Sequence, residues 1–201
     1  DVSGSGFVTA EEQAALSRSR VRALHQISLV LLSQGNMEEV SKTIVDIVAE
    51  ELQVDCCSLM LRQDDVLTVK AARGLPEGVL INATRAKGEG ISGLVLETGK
   101  SVWAQNAGED PDLAQRLVDS PRYSTKSFVC APIEVQGRFI GVLNVSDKRN
   151  RKGFNEEEVS FVETVAQQVG VVLENVRIQE RNRQLAITDE MTDLYNYRHF
   201  Q

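Results

Sequence analysis

The stretch SFVCAPIEVQGRFIGVLNVSD, residues 127–147, consists of two apolar segments joined by Gln136-Gly137. Both segments, SFVCAPIEV and RFIGVLNVSD, contain β-branched and aromatic residues, which favour extended strands. Glycine in a two-residue connection permits the positive backbone angles that a tight hairpin turn needs. The stretch therefore predicts two adjacent antiparallel strands.

A second hairpin is predicted upstream, where VDCCSLMLRQ (54–63) and VLTVKAARG (66–74) flank Asp64-Asp65. SVWAQ (101–105) predicts one more brief strand, and residues 75–89 a loop or a short distorted strand. Apolar spacings of three and four, with turn and cap residues, predict helices at about 11–32, 37–52, 88–100, within 107–123, and from 156 for roughly thirty residues. This order of elements predicts an α+β fold, with an antiparallel sheet, helices on both faces and long N- and C-terminal helices.

Composition limits the function. The chain has 201 residues, 42% of them hydrophobic, a net charge of −7 and a pI near 5.0. This acidic balance argues against binding to nucleic acid polymers or anionic membranes, because both need a cationic surface. The sequence contains no apolar run of about 18 residues and no secretion signal, so we expect a fragment without a membrane segment and a cytoplasmic location.

The residues do not favour catalysis or a metal site. No histidine lies between Met37 and Arg177, which removes Ser-His and Cys-His mechanisms and histidine ligation of haem from that region. The acidic groups Asp64-Asp65, Glu109-Asp110 and Glu156-Glu157-Glu158 lie at turns or helix starts, where solvated and capping roles are expected. We therefore expect no catalytic residue, no metal and no cofactor, and three reduced cysteines, Cys56, Cys57 and Cys130, in or near the core.

Five segments in order carry a family resemblance: CSLMLRQDDVLTVKAARG, GEGISGLVLETGKSV, NAGEDP, SFVCAPIEVQGRFIGVLNV and GFNEEEVSFVETVAQQVGVVLEN. Together they resemble GAF domains, over a region from about Met37 to Arg177. The resemblance implies a GAF sensor domain over residues 13–177 with its N-terminal helix. Residues 1–12, which include SGSG, are expected to be a linker or a cloning remnant.

The C-terminal stretch TDEMTDLYNYRHFQ, residues 188–201, resembles the D-x-L-T-G-L-x-N-R-R-x-F entry of GGDEF domains, which make cyclic di-GMP from GTP. Asp193 and Tyr197 depart from the expected Gly and Arg. The matching residues are Asp189, Thr192, Leu194, Asn196, Arg198 and Phe200. The resemblance implies a truncated GGDEF start at 189–201 behind a coiled-coil signalling linker at 178–188, and hence a sensor that controls a diguanylate cyclase.

GAF domains bind small ligands on the sheet face beneath their short helices. Motif alignment with the cyclic-nucleotide-binding members gives the ligand-binding candidates Ser58, Ile91, Ser92, Thr125 and Asn144. Trp103 is a further ligand-binding candidate, as a wall of the pocket; the alternative is that it is a core or interface residue. Amides at a helix start and nearby hydroxyls can bind a phosphate. Where those relatives place an aromatic residue and an acid against the base, this chain has Ala72 and Arg73. A cyclic nucleotide, another small molecule and no ligand at all remain open.

The last helix predicts a dimer. Its valines recur at alternating steps of three and four, which is typical of a two-stranded coiled-coil seam. These valines are Val162, Val165, Val169, Val172 and Val176. Ala14, Val21, Leu24 and Leu31 of the N-terminal helix could complete a four-helix interface. The alternative is that the valines cover the sheet. We expect a homodimer through the terminal helices, with its own downstream GGDEF domain as the output.

Overall fold

The computed structural model describes residues 10–30, 35–75, 84–118 and 125–187. Its helices are α1 (Ala10–Val30), α2 (Met37–Glu51), α3 (Gly90–Thr98), α4 (Pro111–Val118) and α5 (Glu156–Ile187). Its strands are β1 (Val54–Gln63), β2 (Val66–Arg73), β3 (Thr84–Ala86), β4 (Val102–Ala104), β5 (Phe128–Val135) and β6 (Arg138–Lys148). None of the helices in the described ranges combines the length and apolar character that a membrane span requires.

The strands form one antiparallel sheet in the order β3-β2-β1-β6-β5-β4. Both predicted hairpins are present. In the β5–β6 turn, Gln136 and Gly137 adopt positive φ angles of 52° and 74°, as a two-residue turn matched to the strand twist requires. The two hairpins meet because β1 pairs with β6, which places β1 and β6 at the centre of the sheet.

Helices cover both faces of this sheet, as the sequence predicts. Helices α1, α2 and α5 pack on one face and enclose the main core, while α3 and α4 lie over the other face with a smaller apolar cluster. Helix α5 starts with a reciprocal cap. The Asn155 side chain accepts a 2.9 Å hydrogen bond from the Glu158 amide, and Glu158 accepts one of 3.0 Å from the Asn155 amide.

The valine seam predicted for a second chain is wrong for these residues. Val162, Val165, Val169 and Val172 are fully buried and Val176 is 3% exposed, all within the main core of a single chain. Spacing places residues on one helix face but does not say what covers that face, and here the sheet and its helical layer cover it. The outward face of α5 carries Val171 and Ile178 instead, which are 46% and 49% exposed.

Several predictions fall outside the described residues. The GGDEF-like residues 189–201, Leu31 and the first nine residues belong to this group. Helix α5 extends through Ile187, so residues 178–187 of the predicted linker are helical.

Candidate functional site

We call the sheet face beneath α3 and α4 the cup. Strand alternation places Ser58 of β1 and Asn144 of β6 on this face, because their neighbours Cys57 and Val145 face the main core. Ser58 and Asn144 are directly opposite each other in the β1–β6 register. Apolar residues surround them; the buried members of this cluster are Met60, Leu67, Ile91, Val95, Ala107, Phe128, Cys130 and Val142. The cup therefore has a polar centre within an apolar surround.

Asn144 joins the sheet to α3. Its Nδ2 donates a 2.7 Å hydrogen bond to the Ser92 hydroxyl. Its Oδ1 is buried and has no hydrogen-bond partner among the described residues. A 180° flip of the Asn144 side-chain amide would exchange Nδ2 and Oδ1 and would still leave one of these two atoms without a hydrogen-bond partner. The Ser58 hydroxyl opposite also makes no hydrogen bond within the described chain. Hydrogen-bonding capacity is thus left unused at the centre of the cup.

The N-terminus of α3 contributes donors. Its capping residue, Glu89, makes no side-chain cap to the first helical amides, and Ile91 and Ser92 lie in that first turn. First-turn N–H groups have no partner within their own helix and carry the positive end of the helix dipole. Gly93 permits the preceding loop to approach, since a Cβ there would lie 2.3 Å from the Ala86 carbonyl oxygen. Ile91, Ser92, Ser58 and Asn144 are therefore brought together, and their role in binding a ligand stays a prediction.

Thr125 has a different environment. Its amide and hydroxyl donate hydrogen bonds of 2.8 and 3.1 Å to the same Asp147 oxygen, Oδ1, at the end of β6. Asp147 is 5% exposed and follows Ser146, which is opposite Cys56 in the β1–β6 register. Thr125 thus fixes the chain before β5 at one end of the sheet, and its hydrogen bonds are with Asp147 and Ser127 and not with Ser92 or Asn144.

Trp103 is not brought to the other candidates. Its neighbours Val102 and Ala104 pack against the cup cluster, so alternation turns Trp103 to the opposite face. Its partner in the register, Val129, belongs to the main core, and Trp103 itself is 36% exposed. The structure places Trp103 on the side of the sheet that the long helices cover.

Two residues near the cup were not among the candidates. Arg116 of α4 donates a 2.9 Å hydrogen bond to the Gly88 carbonyl, which ties α4 to the loop before α3. No sequence pattern distinguishes it from a surface arginine of a short helix. The second residue is Asp147, whose buried carboxylate accepts the hydrogen bonds of Thr125.

The cysteines are free, and Cys57 and Cys130 are buried. Burial raises the pKa of both buried thiols; a hydrogen bond with Ser92 opposes this at Cys130. Desolvation, together with the nearby Asp147 carboxylate, raises the pKa of Cys56 to about 11. All three thiols are therefore protonated at neutral pH. Within the described ranges, no three His, Cys, Asp or Glu side chains group in a way that could hold a metal ion.

An antiparallel sheet with long helices on one face and short helices over the other is an α+β architecture of the kind that sensory domains use. The chain belongs to the GAF domain family: residues 36–173 match the family model described as "GAF domain". It is thus a GAF sensory regulatory domain.

Curated relatives support the same class. The chain is 26% identical over 159 residues to a Nif-specific regulatory protein of Azospirillum lipoferum, covering 77% of this chain and 26% of the relative. It is 30% identical over 95 residues to a probable 3′,5′-cyclic phosphodiesterase of Caenorhabditis elegans, covering 47% of this chain and 13% of the relative. The chain thus spans about a quarter or less of the length of these relatives.

Among solved structures, the GAF domain of a phosphoenolpyruvate-protein phosphotransferase from Coxiella burnetii is similar, with a TM-score of 0.68 and 25% identity. The alignment covers 82% of this chain and 98% of that one.

Proposed function

We propose that this GAF domain is a regulatory sensor that binds a small molecule in the cup and passes the binding signal through α5 to a downstream output domain. The observation that carries the proposal is the buried, unpartnered Oδ1 of Asn144. Leaving a buried amide oxygen without a donor costs about 1–3 kcal/mol. A ligand that supplies the donor recovers this energy, so the cup favours a bound partner.

The chemistry of the cup favours a small polar or anionic ligand. The first-turn N–H groups of α3 can donate hydrogen bonds to an anionic group, and the Ser58 hydroxyl and Asn144 amide can fix its orientation. The apolar residues around them suit the non-polar part of such a ligand.

A route from the cup to α5 runs along β6. Asn144 lies on the cup face, and Lys148, at the end of the same strand, pairs with Glu158 in the first turn of α5. A ligand bound to Asn144 therefore acts on a strand that is tied to the helix. A shift of one or two kcal/mol changes two-state populations appreciably.

For the output we propose a GGDEF diguanylate cyclase, in a cytoplasmic protein. This rests on the sequence TDEMTDLYNYRHFQ that follows α5. In this proposal the GAF fragment is not itself an enzyme. Incubating the longer natural protein with GTP and assaying cyclic di-GMP tests the output independently of the ligand, and a protein that makes none contradicts the cyclase assignment.

The ligand proposal is tested by thermal unfolding of this chain across a panel of cyclic nucleotides, amino acids and organic acids. We expect at least one compound to raise the unfolding temperature of the wild type and of Asn175→Ala, an exposed asparagine on α5. Asn144→Ala should lose most of that shift. A shift that survives in Asn144→Ala contradicts binding in the cup.

Two alternatives have specific support. The relationship to a cyclic phosphodiesterase favours a cyclic nucleotide. However, Ala72 stands opposite Ser58 and offers only a methyl group, and Arg73 lies 3.4 Å from Glu50. The exposed Val171 and Ile178 favour a ligand-free dimerisation module, for which no compound in the panel would change the unfolding temperature. In either case, we propose a homodimer through the outward face of the terminal helices.

A further inference from the structure

A second cavity lies away from the cup, at the end of the sheet where β1, β2 and β6 meet α5. It is an open cleft of about 550 Å³, within the size range of small-molecule sites. Strands provide most of its lining, and Leu173, Glu174 and Arg177 of α5 form another side. Met37, at the start of α2, completes the lining. Phe139 lines this cleft and also packs against the apolar cluster of the cup, whereas the polar cup residues Ser58, Ser92 and Asn144 do not line the cleft.

Two β-bulges direct residues to the cleft. In the β1–β2 ladder, Leu59 pairs with Ala71 and Met60 with Val69, which leaves Lys70 as the extra residue. In the β5–β6 ladder, Ile140 is skipped in the same way. Both extra residues line the cleft. Bulges re-aim side chains and occur frequently beside functional sites.

The cleft carries an excess of positive charge on a chain whose net charge is −7. The cations in its lining are Arg62, Lys70, Arg138 and Arg177, against the lining carboxylates of Asp64 and Glu174. Arg62 also lies 3.6 Å from Asp65, which is outside the lining. Glu174 is shared, since it accepts two hydrogen bonds of 2.9 and 3.0 Å from Arg138 and lies 3.9 Å from Arg177. Lys70 has no ion pair or hydrogen bond from its side chain within the described chain.

The wall behind these cations is apolar. Leu61, Ile140 and Leu173 line the cleft and belong to, or pack against, the main core. Phe139 adds an aromatic side chain that is half-buried. An apolar wall with cations around it suits a molecule that has both a hydrophobic body and a negative charge.

We propose that this cleft is a second binding site, independent of the cup, for small organic anions: molecules with an aromatic or aliphatic body and a carboxylate, sulfonate or phosphate group. Lys70 and Arg177 bind the anionic group and the apolar wall binds the body. A ligand in this site connects β2 to α5, at the last turns of α5 that pack on the core. Glu180 lies close by on α5, and its carboxylate accepts a 3.1 Å hydrogen bond from the Met37 amide. Binding there holds the outgoing helix against the domain.

The probe for the test is 1-anilinonaphthalene-8-sulfonate, whose fluorescence rises in apolar sites. N-phenyl-1-naphthylamine, which has the same aromatic body without the sulfonate, is the neutral control. We expect saturable binding of the sulfonate to the folded chain, weakened at least tenfold in Lys70→Gln and in Arg177→Gln. The matched control is Arg181→Gln, one turn further along α5 and exposed, which should bind within twofold of the wild type.

The outcomes separate clearly. The neutral amine should bind more weakly than the sulfonate and should not respond to Lys70→Gln. Sulfonate affinity that is unchanged in Lys70→Gln and Arg177→Gln, or equally reduced in Arg181→Gln, overturns the proposal. Both substitutions are at partly or fully exposed positions, so unfolding curves that match the wild type verify that the fold is intact.

Discussion

The Lys148 ammonium lies 2.6 and 2.8 Å from the two carboxylate oxygens of Glu158, which joins the end of β6 to the first turn of α5. The two side chains are only 8% and 15% exposed. Lys148 also lies 5.5 Å from the ring centroid of the fully buried Phe154. Because Glu158 also caps α5, this pair fixes both the position and the start of the helix.

Breaking this pair should destabilise the fold. Lys148→Met leaves Glu158 in a mostly buried site without its cation, and we expect a loss of about 3 kcal/mol in the free energy of unfolding, the lower end for a buried pair that loses one partner. Lys42→Met removes an exposed pair with Asp46, and should cost less than about 1 kcal/mol. Urea unfolding measures both. Equal effects of the two substitutions would show that burial does not strengthen the Lys148 pair.

Val169 and Val171, two positions apart on α5, should respond differently when each is replaced by aspartate. Val169 is fully buried, whereas Val171 is 46% exposed. Val169→Asp should lower stability by more than about 3 kcal/mol, because it places an unpaired carboxylate in the core. Val171→Asp should leave the fold intact and weaken self-association. Circular dichroism and sedimentation velocity test this, and a Val171→Asp variant that associates as the wild type does contradicts a dimer through the outward face.

Cys56 should react slowly. Raising its pKa from 9.0 to about 11 reduces the thiolate fraction at pH 8 by roughly 100-fold, and the thiolate is the reactive form. Native alkylation by iodoacetamide should therefore be at least about 100-fold slower than in the denatured chain, and Cys56→Ser should remove most of the residual labelling. Fast labelling of the native chain at pH 8 would contradict the raised pKa of Cys56.

Glu50 should contribute stability that disappears in acid. Arg149, 3.4 Å away, lowers the pKa of Glu50 from 4.5. Because the folded pKa is the lower one, the stabilisation is present above pH 4.5 and is lost as the pH falls through the folded value. Glu50→Gln should thus be less stable than the wild type at pH 7 and equal to it in strong acid. Glu97→Gln, an exposed glutamate without a partner among the described residues, is the control. A Glu50→Gln deficit that persists in strong acid would mean that charge pairing is not its cause.

The sequence predicts the sheet well because its signals are local. Gln136-Gly137 permits only a narrow set of turns, and the apolar runs on both sides determine the pairing. What each helix or strand face packs against is harder to predict. The spacing of Val162 to Val176 places these residues on one face, but the sheet that covers them is formed by distant strands. Trp103 lies in a strand of three residues, too short for alternation to be read from sequence.

Within the candidate site, Ser58, Ile91, Ser92 and Asn144 could be located from the motif resemblance because register brings β1 and β6 together. Thr125 is a candidate for the same site, but it donates its hydrogen bonds to the buried carboxylate of Asp147, at the end of β6. The bulge at Lys70 has no glycine or proline to mark it, so the cationic cleft has no sequence signature.

The most direct test of the central claim is a titration of the side-chain and backbone amide resonances of ¹⁵N-labelled protein with the compound that gives the largest thermal shift. We predict that the Asn144 side-chain amide and the backbone amides of Ile91 and Ser92 shift together and saturate at one affinity. Resonances that stay unchanged with every compound in the panel, or changes that leave Asn144 unaffected, would contradict a ligand-binding cup.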